Sequence, residues 1–174
     1  MSQSVPPPSG NPFAGGPGVE PTAPYPAQPA APARSNVTLG IVVGVVAMVV
    51  GALVYGGIMR AFGKENGEYT EIGYAALGVG ALVGFAVGKV GGANPLLPVI
   101  SAPLALAGVF AGQLFGFALL ISWWSGGELS AVTILTENLG DLIDGWKEEA
   151  DVMTWLFLAI GGITAFSAAK KSAR

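Results

Sequence analysis

The chain has 174 residues, of which 52% are hydrophobic and 11% charged, with a mean hydropathy of +0.60 and a formal net charge of −3. Ordinary soluble domains carry about 25% charged residues, so these figures exclude a water-soluble globule and give no basic surface for nucleic acid. The chain lacks cysteine and histidine, which removes disulfides, thiolate and imidazole metal sites, and the commonest general base.

Residues 1 to 36 contain ten of the thirteen prolines, in runs such as VPPPSG and PTAPYPAQPAAPA. Proline cannot continue a helix interior, and so few large apolar side chains cannot offset the entropy of ordering. The region is expected to be a disordered, polyproline-II-like cytoplasmic tail. PxxP spacings at Pro21–Pro24, Pro26–Pro29 and Pro29–Pro32 leave docking as the alternative to a flexible spacer. No apolar run precedes Val37, so no signal peptide is expected and the first span should act as an uncleaved anchor.

Four apolar runs follow, at about 37–59, 72–90, 97–123 and 152–169. Each reaches or approaches the roughly 20 residues that a helix needs to cross a hydrocarbon core of about 30 Å. The fold class expected is therefore all-α, a four-transmembrane-helix bundle over residues 37–171, with 172–174 as a short C-terminal end. The polar link RAFGKENGEYTE joins the first two spans, and Asn94-Pro95 with Pro98 turns the chain into the third. Pro103 should kink that span or mark its first turn. Trp123-Trp124 at its end suit the water–lipid interface. Asn36-Val37-Thr38 fits a glycosylation triplet, but its place at the membrane edge marks it as chance.

With four spans the termini share a side. That side carries Arg34, Lys89, Lys170, Lys171 and Arg174, against Arg60, Lys64 and Lys147 opposite. The excess predicts both termini inside, under the positive-inside rule. Every acidic residue except Glu20 falls on the outer side.

Within the spans, small residues recur every fourth position. Gly80, Gly84 and Gly88 share one face of the second, and Gly108, Gly112 and Gly116 one face of the third, extended upstream by Ser101 and Ala105. The first span carries Gly40, Gly44, Ala47 and Gly51, and the fourth Gly161, Ala165 and Ala169. Lipid supplies no hydrophobic drive for helix association, and small residues let backbones approach closely. The two three-glycine stripes are expected to pack on each other within one chain. A further seam between copies, building a homo-oligomer, is the competing expectation. No charge lies mid-span, which argues against an ion-coupled transporter. Gln113 is the deepest polar side chain and is expected to hydrogen-bond between helices.

Between the third and fourth spans, residues 129–149 segregate by face. Glu137, Asp141, Asp144 and Glu148 share one side of a helical wheel, and Val132, Leu135, Leu139, Leu142, Ile143 and Trp146 gather opposite. This predicts an amphipathic extracytoplasmic helix whose apolar side needs the bilayer interface or the mouth of the bundle. Gly140 and Gly145 weaken it by on the order of 1 kcal/mol each. The acidic side is expected to be solvated, because carboxylates ranged along a helix do not surround a cation. No catalytic, cofactor or metal residue is assigned.

Glu71-Ile72-Gly73-Tyr74, GVGALVGFAVGKVGG and PVISAPLALAGVFAGQLFG together resemble small bacterial membrane proteins with a glycine-rich helical hairpin, and the alanine- and proline-rich tail is similar to those of many actinobacterial membrane proteins. The resemblance is strongest over residues 71–116. It implies a bacterial cytoplasmic membrane and brings no established activity. The expectation is a non-enzymatic structural or accessory subunit, its partners being the lipid bilayer and a membrane or envelope protein. A small homo-oligomeric channel is the alternative.

Overall fold

The computed structural model describes residues 35–68 and 73–173. The Pro-rich tail expected over residues 1–36 lies almost wholly outside the described residues, as do Glu71 and Ile72. Among the described residues the chain is all-helical: α1 (Val37–Phe62), α2 (Gly73–Gly91), α3 (Leu96–Trp124), α4 (Ala131–Glu137), α5 (Leu139–Glu149) and α6 (Val152–Ser172). α1, α2, α3 and α6 are each long and apolar enough to cross a membrane, and the protein is a multi-pass membrane protein in contact with the lipid bilayer. At 1.5 Å per residue α2 is about 28 Å long and α3 about 43 Å. α2 therefore falls slightly short of a hydrocarbon core of about 30 Å, whereas α3 is longer than one.

α1, α4 and α6 start where a side chain satisfies a free amide of the first turn. Asn36 accepts from the Leu39 amide at 3.0 Å, Ser130 from Thr133 at 3.0 Å and Asp151 from Thr154 at 2.9 Å. α2 stops at Gly92, whose φ of +78° is a conformation that glycine adopts without a Cβ clash. α3 begins before Pro98 and continues through Pro103, so that proline is interior to the helix and not in its first turn. Ser101 Oγ donates to the Pro98 carbonyl at 2.8 Å.

Going round the bundle the order is α1, α2, α6, α3, with α2 and α3 also meeting across the short diagonal and α1 and α6 not neighbours. One end holds the start of α1, the α2–α3 turn and the end of α6, and the Asn36 amide donates to the Gly91 carbonyl there at 3.0 Å. We call it the basal end, and the other, which α4 and α5 cover, the capped end. The core is built from Tyr55, Met59, Val79, Val83, Val87, Leu97, Val109 and Leu120, all almost fully buried. The outward faces are apolar too, with Val42, Val46, Val50, Leu53 and Val54 exposed along α1, as lipid contact requires.

The glycine stripes pack differently from the sequence expectation. A Cβ on Gly80 would run into the Gly161 carbonyl, one on Gly84 into the Ala165 carbonyl, and one on Gly88 into Ala169 and Ser172. The α2 stripe therefore lies on α6. The α3 stripe lies on α1: a Cβ on Gly112 would fall 2.8 Å from Tyr55 Cβ, and one on Gly116 2.6 Å from Met59 Sδ. Residue numbers rise together along both seams, so each joins two parallel helices. The reason is steric economy. Spans two and three are hairpin partners and antiparallel, and their diagonal contact is filled by valines such as Val79, whose Cγ1 approaches Gly108.

Candidate functional site

The sequence's polar signals converge at the capped end. Among the described residues it carries all nine carboxylates, from Glu65 to Asp151, and the basal end carries Lys89, Lys170 and Lys171 with none.

The amphipathic segment is not one helix. Asn138, at φ −118° and ψ 24°, breaks it into α4 and α5. Asn138 and Gly140 both hold a helix weakly, and no side-chain hydrogen bond caps α5. Ile134, Leu142 and Trp146 are buried and Leu135 and Ile143 partly so. Val132 and Leu139, expected on the covered side, are exposed, Val132 by 70%. Both short helices rest on α3.

The anchor is Trp146, 7% exposed. Its indole Nε1 donates to Gln113 Oε1 at 2.9 Å, and Gln113 Nε2 donates to the Tyr55 hydroxyl at 3.4 Å. Gln113 is 2% exposed. The chain of bonds thus ties α5 to α3 and α1. The edges of Phe110 and Trp155 close around the indole, with ring centroids 4.9 and 5.6 Å away and planes at 85° and 76°. Such edge-on pairs are favoured by the ring quadrupole. Beside them lies a cavity of about 10 Å³, lined by Met59, Gln113, Phe117, Trp146, Glu149, Ala150 and Thr154, close to the space of a single water.

A second set of contacts fastens the α1–α2 link to the end of α3. The Arg60 guanidinium sits 3.6 Å over the Trp123 ring, and Trp124 Nε1 donates to the Lys64 carbonyl at 2.9 Å. Lys64 pairs with Glu68 at 2.9 Å. That ammonium, with Asn66 adding to it, holds the Glu68 carboxyl below its usual range. Donation from the Thr154 amide does the same for Asp151, against a desolvation effect that opposes it.

Glu137, Asp141, Asp144 and Glu148 are all exposed. Asp144 pairs with Lys147 at 2.8 Å. The four are spread over two helices, and among the described residues no three acidic side chains converge on a point that could hold a metal ion. The stripe is an exposed charged surface. The six glycines are buried in the α2–α6 and α1–α3 seams. Sequence reasoning missed Tyr55, the stacking of Arg60 on Trp123 and the partnership of Trp146 with Gln113. The last was signalled: a lone amide in an apolar span and an indole N–H on an apolar helix face each require a partner.

No protein-family model, curated protein or solved structure matches the chain.

Proposed function

We propose that the protein is a non-enzymatic structural or accessory subunit of a bacterial cytoplasmic membrane, with both termini in the cytoplasm and the α4–α5 cap outside. The resemblance of the glycine-rich hairpin and the proline-rich tail to those of small bacterial membrane proteins supports this reading, as does the excess of Arg34, Lys89, Lys170, Lys171 and Arg174 over Arg60, Lys64 and Lys147. The cap presents its acidic side to a basic surface of a membrane or envelope partner.

The observation that carries this reading is the Trp146–Gln113 hydrogen bond. It spends the deepest polar group of the bundle on fixing the cap, so that the carboxylates of α5 are held outward on a braced helix. The other buried polar side chains among the described residues, Ser101 and Thr154, also bond locally, to the Pro98 carbonyl and to Asp151. Among the described residues a single copy therefore offers no continuous polar path. A channel would need several copies, meeting through lipid-facing positions such as Gly57 and Gly78, which face open space.

Photo-crosslinkers at Val132 and Leu139 in intact membranes test the proposal. The accessory reading predicts cross-links to a second protein, lost when Glu137, Asp141, Asp144 and Glu148 are changed to Gln or Asn. Cross-links only between copies, together with conductance in planar bilayers, would establish the channel instead.

A further inference from the structure

Two apolar grooves open on the lipid-facing sides of the bundle. One, of about 420 Å³, lies between α1 and α2 beside Tyr55, Ile58 and Tyr74. The other, of about 430 Å³, lies between α3 and α6 and is lined by Ala102, Leu106, Ala159, Gly162, Ile163 and Phe166. Both volumes fall in the range of ligand clefts, about 300–1,000 Å³. They differ in what stands at their ends. The α1–α2 groove runs toward the capped end, with Glu65 and Glu68 in the adjoining link.

The α3–α6 groove runs toward the basal end. Ala159, Ile163 and Phe166 follow i, i+4, i+7 spacing on α6, and Lys170 continues the same line at i+11, one turn of about 5.4 Å beyond Phe166. All four are exposed. Among the described residues Lys170 has no ion-pair partner, and no carboxylate lies at that end. Lys171 follows it, and Lys89 stands in the last turn of α2, beside the end of α6. A long apolar trough that ends one helical turn short of an unpaired ammonium matches the two halves of an amphiphile with a negative head.

We propose that the α3–α6 groove binds an anionic phospholipid, with an acyl chain laid along Ala102, Leu106, Ala159 and Ile163 and the headgroup phosphate paired with Lys170. The groove supplies contact for the chain, the lysine supplies the preference for negative charge, and Lys89 and Lys171 add to the local field. The site exists in a single copy and does not depend on what the cap binds.

The test uses the full chain in nanodiscs of equal phosphatidylglycerol and phosphatidylcholine, released into native mass spectrometry. Incorporation into the discs separately reports that the protein inserts. The wild-type protein is expected to retain phosphatidylglycerol in preference to phosphatidylcholine. Lys170→Gln should cut that preference about fivefold, the effect of one lysine near a lipid surface, without abolishing lipid adducts. Ala159→Leu fills the groove from the lipid side, where no helix packs, and should remove retained lipid of both kinds. Lys64→Gln at the capped end should change nothing. Equal retention of the two lipids by the wild type would overturn the proposal. So would a loss with Lys64→Gln as large as with Lys170→Gln, which would mean diffuse attraction, or undiminished adducts in Ala159→Leu, which would mean a headgroup held with no groove.

Discussion

The same residue does opposite things in α2 and in α5. In α2, Gly80, Gly84 and Gly88 are occupied positions: the space a Cβ would take is filled by the backbone of α6. In α5, Gly140 and Gly145 have nothing within 4 Å of that space. The first set is demanded by packing, because two backbones in lipid attract through contact alone. The second set is unconstrained by any neighbour and weakens its helix. Glycine content in a membrane chain therefore carries no single meaning. What matters is whether the missing side chain has been replaced by another backbone.

Added bulk in the seams should be the most damaging change. Gly84→Leu, or Gly80→Leu, puts a side chain into the α6 backbone and is expected to abolish the folded state, read as loss of the thermal unfolding transition in detergent. Next comes the anchor of the cap. Trp146→Ala should cost on the order of 3 kcal/mol, as large-to-small changes at buried aromatics do. It should also release α5, seen as fast amide exchange over residues 139–149 while α2 and α6 stay protected. Gln113→Leu leaves the Trp146 N–H buried without this acceptor and should cost about 1–3 kcal/mol. In the opposite direction, Gly140→Ala and Gly145→Ala should each stabilise α5 by about 1 kcal/mol, measurable as slower exchange in the cap. A destabilising result there would show that α5 has a neighbour against those positions.

The smallest effect is a pH dependence at the start of α6. The Asp151 carboxyl is held below its ordinary range chiefly by the Thr154 amide. A depressed folded value means that its stabilisation is complete above the unfolded pKa of about 3.9 and is lost as pH falls through the folded value. Acidification from about pH 5 to about pH 3 should therefore loosen the first turn of α6, followed through amide exchange at Thr154 and Trp155. Asp151→Asn keeps an acceptor without the charge and should remove this residue's share of that dependence.

Much of the architecture was legible in the chain. The four apolar runs define α1, α2, α3 and α6 to within a few residues, because length and hydropathy are local properties and lipid enforces them. The small-residue stripes were legible as well, since four-residue spacing fixes a helix face. Their pairing was not. Gly84 and Gly112 are read identically from sequence, and only the order of helices round the bundle decides that one meets Ala165 and the other Tyr55. In the cap, the apolar face was visible but its break at Asn138 was not. Val132 and Leu139 belong to the same wheel position class as Leu142, yet only Leu142 reaches α3's surface as a buried side chain. Tertiary contact, not periodicity, separates them.

The glycine seams join helices within one copy. The decisive experiment is the native mass of the extracted protein, compared among wild type, Gly84→Leu and Gly112→Leu and paired with a thermal scan. Both variants are expected to lose their unfolding transition, whatever the stoichiometry of the wild type. Folded variant monomers with an intact transition, derived from a wild-type oligomer, would contradict this and move the seams to the surface between copies.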